Sequence, residues 1–272
     1  MSAPAIDSSA PAGASALLQV EGLKKAFGGV QAVGGVDLTI GRGEVITIIG
    51  PNGSGKSTFF NLLTGIYAPD AGSVRLEGVD LAGFPSHRIA EAGIARTFQN
   101  IRLFNSLTVL ENVMIGMHGS IRAGIIETIF GGKALRAREA AAREAAMEHL
   151  ALFRKRLYPR LDHPVFTLSY ANRRRVEIAR ALAVNPKLLL LDEPTAGMNP
   201  YETAELVDNI QEIRASGLTM AIIEHKLDVV NRVSDRVIVL DQGRKIAEGS
   251  AEDVQNDPRV IEAYLGSPTA AA

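Results

Sequence analysis

Short runs of aliphatic residues, bounded by glycine, recur through the first part of the chain and predict β-strands. Three of these runs, Leu17–Lys25, Val36–Ile40 and Glu44–Ile49, have the length and the Val, Ile and Leu content of strands. We expect a helix from Lys56 to Gly65 and a further β segment near Ser73–Leu76. Strands and helices that alternate along the chain are typical of an α/β fold.

The C-terminal half of the chain returns to the same alternation. Leu188–Leu191 is an apolar run without polar positions, as expected for a parallel strand that is buried on both faces. Asn199-Pro200 supplies an N-cap and a first-turn proline for a helix that ends at Gly217. Met220–Ile223 and Val237–Leu240 repeat the strand pattern and precede a hairpin turn, a short strand and C-terminal helices.

The segment between these two parts has a different character. Residues 132–157 are rich in Ala, Arg and Glu, which are strong helix formers. Its apolar positions fall on one helical face: Ala142, Ala146, Leu150 and Phe153. Thr108-Val-Leu-Glu111 has the capping-box pattern that begins a helix. We therefore expect a helical lobe over about 101–165, inserted into a core formed by 17–100 and 166–266.

Composition and charge narrow the class of protein. With 272 residues, 46% hydrophobic and 22% charged, the chain resembles ordinary globular proteins. The net charge of -1, from 29 basic and 30 acidic side chains, gives no electrostatic reason to expect nucleic-acid binding. The absence of cysteine excludes disulfides and thiolate metal sites and fits a reducing compartment.

The ends of the chain are expected to be tails. No stretch of the sequence approaches the roughly 18 apolar residues that a membrane-spanning helix needs. Residues 1–16 are small and polar and lack the features of a secretory signal, so we interpret them as a disordered tail. Residues 267–272 form a second tail, and 17–266 form a single domain.

A glycine-rich segment between the third predicted strand and the following helix matches the P-loop pattern. Its glycines let successive backbone amides point inward as a nest for phosphate oxygens, and the helix N-terminus adds positive partial charge. Lys56 can reach the β- and γ-phosphates of ATP, and Ser57 can offer its hydroxyl to Mg²⁺. The predicted nucleotide-binding residues are Gly50, Pro51, Asn52, Gly53, Ser54, Gly55, Lys56, Ser57 and Thr58.

Two adjacent carboxylates, Asp192 and Glu193, follow the apolar strand Leu188–Leu191. Such a strand delivers them to the carboxyl edge of the sheet, where open α/β folds bind ligands. We expect Asp192 to hold Mg²⁺, directly or through water, and Glu193 to orient and polarise the attacking water. The same residues could be an ordinary polar turn, so this assignment depends on the P-loop upstream.

Three further residues gain meaning only beside the P-loop and the carboxylates. Gln99 follows a predicted strand and could contact the metal ion or the water, while His225 follows Met220–Ile223 and reaches the same sheet edge. Phe27 could stack on adenine. Taken alone, a histidine is more often structural, and a phenylalanine is more often part of the core.

Together these features resemble the ATP-binding subunits of ABC transporters. The motifs occur in the order of that family: the P-loop, Gln99, Leu168-Ser-Tyr-Ala-Asn172, Leu191-Asp-Glu-Pro194 and His225. More narrowly, the chain resembles the branched-chain amino-acid importer ATPases in four segments: 93–100, the long helical segment before 160, 196–200 and 257–266. The resemblance implies an α/β fold, a P-loop NTPase core of ABC type with an N-terminal antiparallel β part and an inserted helical lobe.

The resemblance also implies partners. In this family two ATPase subunits pair head to tail, and each nucleotide lies between one P-loop and the signature segment of the other subunit. The signature residues of this chain would therefore bind the nucleotide of a second, related ATPase subunit: Ser169, Tyr170, Ala171 and Asn172. Two integral membrane permeases and, indirectly, a periplasmic solute-binding protein complete such a system, with the ATPases peripheral at the cytoplasmic face of the bacterial inner membrane.

Roles for individual residues follow from the same resemblance. It implies catalytic roles for Glu193, His225 and Gln99, and Mg²⁺ ligation by Ser57, Gln99 and Asp192.

The signature departs from the usual Leu-Ser-Gly-Gly-Gln, because Tyr170 and Ala171 replace the glycines and Asn172 replaces Gln. If position 171 needs a positive φ, the added methyl costs about 1–2 kcal/mol; otherwise it is harmless. Asn199 likewise stands where many relatives have Asp. We hypothesise that the chain's own P-loop site is competent, whereas the site completed by its signature depends on a tolerant partner.

ATP-driven import of branched-chain or other amino acids, or of a similar small polar solute, is the leading functional interpretation. The related lipopolysaccharide-exporting ATPases are an alternative, against which the helical segment and the Tyr264-Leu-Gly266 tail argue. Soluble ABC ATPases that act on DNA or ribosomes usually have paired ATPase domains or basic surfaces, and this chain has one P-loop and no charge excess. A metabolic P-loop kinase would lack the signature and His225.

Overall fold

The computed structural model describes residues 16–117 and 132–265. The predicted tails, 1–16 and 267–272, lie outside this range except for Ala16, which is the first residue of a strand rather than the last of the tail. Residues 118–131 of the predicted lobe also lie outside it.

The described elements alternate in the predicted manner. The strands are β1 (Ala16–Phe27), β2 (Val30–Gly41), β3 (Val45–Ile49), β4 (Ala71–Leu76), β5 (Val79–Asp80), β6 (Ile94–Arg96), β7 (Leu188–Asp192), β8 (Thr219–Ile223), β9 (Arg236–Asp241) and β10 (Arg244–Gly249). The helices are α1 (Lys56–Leu63), α2 (Ser86–Ala92), α3 (Val109–Gly116), α4 (Gly132–Ala151), α5 (Arg154–Leu157), α6 (Tyr170–Leu182), α7 (Pro200–Ala215), α8 (Leu227–Val233), α9 (Ala251–Gln255) and α10 (Pro258–Leu265).

The N-terminal antiparallel part is confirmed. Its sheet has the order β2-β1-β4-β5, and each neighbouring pair is antiparallel. The strand predicted at Val36–Ile40 is longer than expected and begins at Val30, because it pairs along the whole of β1 up to Phe27. The glycines at 34–35 lie inside this strand, where pairing with β1 overrides their low strand propensity.

The core sheet has the order β10-β9-β3-β8-β7-β6. All its neighbouring pairs are parallel except β9 with β10, so β10 is an antiparallel edge strand on an otherwise parallel sheet. Side chains of β7 alternate between two apolar clusters: Leu188 and Leu190 face the cluster under the N-terminal sheet, and Leu189 and Leu191 face the helices on the other side. This burial on both faces explains the absence of polar positions in the run.

The predicted helical lobe packs on the second of these clusters. The backbone N–H of Glu111 donates to the Thr108 hydroxyl at 3.2 Å, and the Glu111 carboxylate accepts a hydrogen bond from the backbone N–H of Thr108 at 2.8 Å. These two bonds confirm the capping box that begins α3. The predicted apolar face is buried, as expected from its spacing: Ala142, Ala146, Leu150 and Phe153. The lobe and the sheet thus share one apolar cluster. Within the described ranges no helix has the length and apolarity to cross a bilayer.

Candidate nucleotide site

The P-loop joins β3 to α1 at the carboxyl edge of the core sheet. Gly50, Gly53 and Gly55 adopt positive φ values of 147°, 82° and 101°. A side chain at Gly50 would collide with the carbonyl oxygen of Leu240, and one at Gly55 with that of Ala32. Glycine is therefore needed at these two positions both for backbone conformation and for close approach of the neighbouring chain.

Gly55→Ala tests this requirement. Because the new methyl would meet the Ala32 carbonyl and force an unfavourable φ, we expect the loop to shift and ATP affinity to fall by at least about tenfold. The measurement is a binding titration with a fluorescent ATP analogue. Gly53→Ala is the matched control, since it also has positive φ but open space around its Cβ position, and it should lose less affinity. Equal losses in both variants would contradict the steric argument.

Lys56 is the first residue of α1, at the end of the loop, and is only 6% exposed. Its ammonium donates to the carbonyls of Gly50 and Pro51, both at 2.8 Å, and to the Ser54 hydroxyl at 3.3 Å. Burial lowers the pKa of Lys56, an effect opposed by the charges of Glu193 and Asp192. These neutral acceptors can be exchanged for phosphate oxygens, which would form stronger, charge-assisted hydrogen bonds.

Asp192 ends β7 beneath the loop, and its side chain is buried. One carboxylate oxygen, Oδ2, accepts a hydrogen bond from Arg96 at 2.7 Å, while Oδ1 is buried without a hydrogen-bond partner among the described residues. Arg96 also donates to Asn61 and Thr64 and lies against the rings of Phe60 and Phe98. Burial lowers the pKa of Arg96, an effect opposed by its bond to Asp192.

Glu193 is the point where three predicted residues meet. Its Oε1 lies 2.8 Å from Nε2 of His225, and its Oε2 accepts a hydrogen bond from the Gln99 amide at 3.1 Å. Glu193 has a φ of 47°, and its backbone N–H donates to Ile223 at 2.9 Å. A left-handed non-glycine residue is strained and is common at functional sites. In this conformation the carboxylate lies between Gln99 and His225.

These residues share one cleft with the P-loop. The cleft has a volume of about 240 Å³, and its lining residues are Ala32, Asn52, Gly53, Ser54, Gly55, Lys56, Ser57, Thr58, Gln99, Glu193 and His225. The predicted convergence of P-loop, glutamate, glutamine and histidine is therefore present in the fold. Their roles in binding and hydrolysis stay predictions.

Phe27 lies outside the residues that line this cleft. The residue is 42% exposed, and its ring contacts that of Tyr67 edge-on, with ring centroids 5.0 Å apart. The alternative that Phe27 is a buried core residue is thus wrong. Stacking on adenine stays a prediction.

The signature segment forms the start of α6. Ser169 is the N-cap and accepts the backbone N–H of Asn172 at 3.4 Å. Ala171 is buried in the first turn and is not among the residues with positive φ, so its methyl carries no backbone penalty. Like Phe27, these signature residues lie outside the lining of the cleft.

Arg96 and Glu224 are two buried charged residues near the site that sequence reasoning missed. Glu224 accepts a hydrogen bond from the Thr195 hydroxyl at 2.9 Å and faces the backbone N–H of His225 at 3.3 Å, so it connects the loops after β7 and β8. The available signals were charged residues within apolar strand ends, at Ile94–Arg96 and in Ile-Glu-His at 223–225.

Comparison with known proteins identifies the family. The family description "ABC transporter" matches residues 33–196, and "Branched-chain amino acid ATP-binding cassette transporter" matches residues 244–270. The chain is 41% identical over 251 residues to the high-affinity branched-chain amino acid transport ATP-binding protein BraF of Pseudomonas aeruginosa, covering 92% of this chain and 98% of that one. It is also 41% identical over 253 residues to LivG of Escherichia coli, a protein with the same description, with the same coverage of each chain.

Solved structures agree with this assignment. A nucleotide-free ATP-binding cassette from an ABC transporter superposes with a TM-score of 0.80 at 35% identity, covering 93% of this chain and all 100% of that one. A dimeric, post-hydrolysis cassette bound to ADP and Pi superposes with a TM-score of 0.73 at 26% identity, covering 86% of this chain and 98% of that one. The predicted resemblance and fold class are confirmed: the chain belongs to the ABC transporter family, as an ATPase of its branched-chain amino-acid group.

Proposed function

We propose that this chain energises the uptake of branched-chain amino acids, or of closely similar small polar solutes, as one of two ATPase subunits bound to two membrane permeases. The observation that carries the proposal is the convergence of Gln99, Glu193 and His225 on one cleft with the P-loop. The named relatives BraF and LivG support the solute class. The match of residues 244–270 to the branched-chain description supports the importer over the lipopolysaccharide-export alternative.

Ser57 and Gln99, which line the cleft, and Asp192, which precedes Glu193 but does not line it, fit a magnesium ion. Within the described ranges, no group of three or more His, Cys, Asp or Glu side chains forms a metal site. The buried, unpartnered Oδ1 of Asp192 is an oxygen donor of the kind that Mg²⁺ prefers, and Ser57 and Gln99 offer two more, with phosphate and water oxygens completing the set. When bound, Mg²⁺ would neutralise charge that develops on the phosphates.

Hydrolysis then depends on the geometry around Glu193. Its carboxylate can accept a proton from a water aligned with the γ-phosphate, because the Gln99 amide and the His225 ring hold both of its oxygens in place. Lys56 exchanges its bonds to the loop carbonyls for bonds to phosphate oxygens. Water positioning and charge stabilisation, rather than covalent chemistry, supply the rate.

This cleft is half of a complete nucleotide site in the proposal. The residues 169–172 of a second, related subunit would cover the γ-phosphate, with Ser169 and the amides of an α6 N-terminus pointing at it. The dimeric ADP-bound cassette supports this arrangement by likeness. ATP closes the two subunits because it binds the closed state more tightly than the open one. Such an assembly lies at the cytoplasmic face of the inner membrane and draws solute from a periplasmic binding protein.

The proposal is tested by purifying the tagged chain from membranes of its host and identifying the proteins that accompany it. We expect two permeases and a second ATPase, and we expect the assembly in proteoliposomes to import labelled leucine only with internal ATP. A thermal-shift screen of the cognate binding protein against amino acids and related acids names the solute. Co-purification with lipopolysaccharide-export components, or import that is independent of ATP, would contradict the proposal.

A further inference from the structure

Three side chains on α6, of which two are buried and charged, hold the loop after β6 that carries Gln99. The set, here called the α6 clamp, consists of Tyr170, Arg174 and Glu177. Arg174 is fully buried and Glu177 is 1% exposed, although charged residues are rarely buried in proteins unless they are paired. Their carboxylate and guanidinium groups form an ion pair at 2.7 Å, one turn apart on the helix.

Arg174 binds the Gln99 loop by donating hydrogen bonds to two backbone carbonyls of that loop. One guanidinium nitrogen, Nη1, donates to the carbonyl of Phe98 at 2.5 Å, and the other, Nη2, donates to that of Gln99 at 2.8 Å. The planar guanidinium directs its nitrogens in a fixed geometry, so one side chain binds two successive carbonyls and the Glu177 carboxylate at the same time. The backbone on which the Gln99 side chain depends is therefore held from the helix.

Glu177 binds the same loop by accepting hydrogen bonds from two of its backbone N–H groups. Its Oε1 accepts the backbone N–H of Phe98 at 3.3 Å and that of Arg102 at 3.2 Å, while Oε2 is occupied by Arg174. The loop thus meets both an acceptor and a donor from one helix, and the charges of Arg174 and Glu177 compensate each other. Removing either partner would leave a buried charge uncompensated.

Tyr170 joins this clamp to the signature. Its hydroxyl lies 3.1 Å from Nη2 of Arg174, and the guanidinium lies 5.8 Å from the centre of its ring. The ring also lies beside Gly197, since a Cβ placed there would be 3.5 Å from the ring edge. Tyr170 stands where the usual signature has glycine, so the departure introduces the contact to Arg174.

We propose that Tyr170, Arg174 and Glu177 are positioning residues that lock the Gln99 loop to the signature segment, so that the two move as one unit. Because Gln99 contacts Glu193 of the chain's own cleft, whereas 169–172 would face the nucleotide of the partner, this unit links the two composite sites. The link between the two composite sites rests on the proposed function. The attachment of the Gln99 loop to the signature segment by the α6 clamp, here called the lock, does not.

The lock is tested on the full chain alone. The sequence has no cysteine, so Asn100→Cys, an exposed position beside Gln99, accepts a single fluorescent label. We expect Tyr170→Phe, Arg174→Lys and Glu177→Gln each to lower the anisotropy of the label, with Glu177→Ala lowering it most because it removes both amide contacts. Glu205→Gln and Tyr158→Phe are matched controls: Glu205 pairs with Arg175 of the same helix at 3.1 Å, and Tyr158 donates to the Met147 carbonyl at 3.0 Å.

Anisotropy that is unchanged in the clamp variants, or lowered equally in the controls, overturns the lock. A lowered anisotropy confined to the clamp variants supports it. This readout needs no nucleotide, partner or turnover, so it remains valid even if the chain serves a different transporter.

The link between sites is tested in the assembled transporter. We expect Glu177→Gln to lower kcat for ATP about tenfold and Tyr170→Phe about threefold, with the KM for ATP changed less than about twofold, because the clamp does not line the P-loop cleft. A rise in KM at constant kcat, or a kcat equal to that of the Tyr158→Phe and Glu205→Gln controls, overturns the link.

Discussion

Replacing Glu193 with Gln is expected to lower the rate of ATP hydrolysis at least about a hundredfold while ATP binding persists, because general-base catalysis contributes at least that factor. Glutamine keeps the size of the side chain and one acceptor for His225 or Gln99, but it cannot take a proton from water. Phosphate release by the assembled transporter measures turnover, and a filter assay measures ATP binding.

Glu252→Gln is the control for this prediction, since Glu252 is an exposed residue on α9. Glu252→Gln should change neither the rate of ATP hydrolysis nor ATP binding. Hydrolysis by Glu193→Gln at more than a tenth of the wild-type rate would show that another group activates the water.

The same substitution tests whether the two composite sites differ. We expect Glu193→Gln in this chain and the equivalent change in the partner to reduce turnover by different amounts, because the signature 169–172 departs from the usual sequence. The helical, unstrained backbone at Ala171 removes the backbone argument for a defective signature, so the difference depends on Tyr170 and Asn172. Equal losses would contradict the asymmetry hypothesis.

Asp192→Asn is expected to damage both stability and metal-dependent binding. It removes the counter-charge of Arg96, whose side chain is 5% exposed, and loss of one member of a buried ion pair lowers the free energy of unfolding by about 3 kcal/mol. The thermal transition should fall by about 6–12 °C. Since the unpartnered Oδ1 is lost as a carboxylate oxygen, the Mg²⁺-dependent increase in ATP affinity should disappear as well.

A second variant separates these two effects. Arg96→Met in the Asp192→Asn background removes the uncompensated charge, so it should recover part of the lost stability but none of the Mg²⁺ dependence. The measurements are thermal unfolding and ATP titrations with and without Mg²⁺. An unchanged thermal transition for Asp192→Asn, or restored Mg²⁺ dependence in the double variant, would contradict the assigned roles.

Local patterns were sufficient for much of the fold and of the site. The run Leu188–Leu191 predicted a doubly buried strand because every one of its positions is apolar, and Thr108-Val-Leu-Glu111 predicted a helix start because the cap involves residues one turn apart. The P-loop was recognisable because its glycines, lysine and serine are contiguous and lie between a strand and a helix. Gln99 and His225 were placed at the correct sheet edge, because each follows a parallel strand.

The contacts between distant segments depended on the tertiary structure. Arg96 meets Asp192 because β6 and β7 are neighbours, although the two residues are 96 positions apart in sequence. Gln99 and Glu193 meet because that same pairing brings their loops together, and Arg174 reaches the Gln99 loop because α6 packs beside β6. Hydrophobic periodicity specifies which face of an element is buried, but strand order and helix packing decide which polar side chains are buried together.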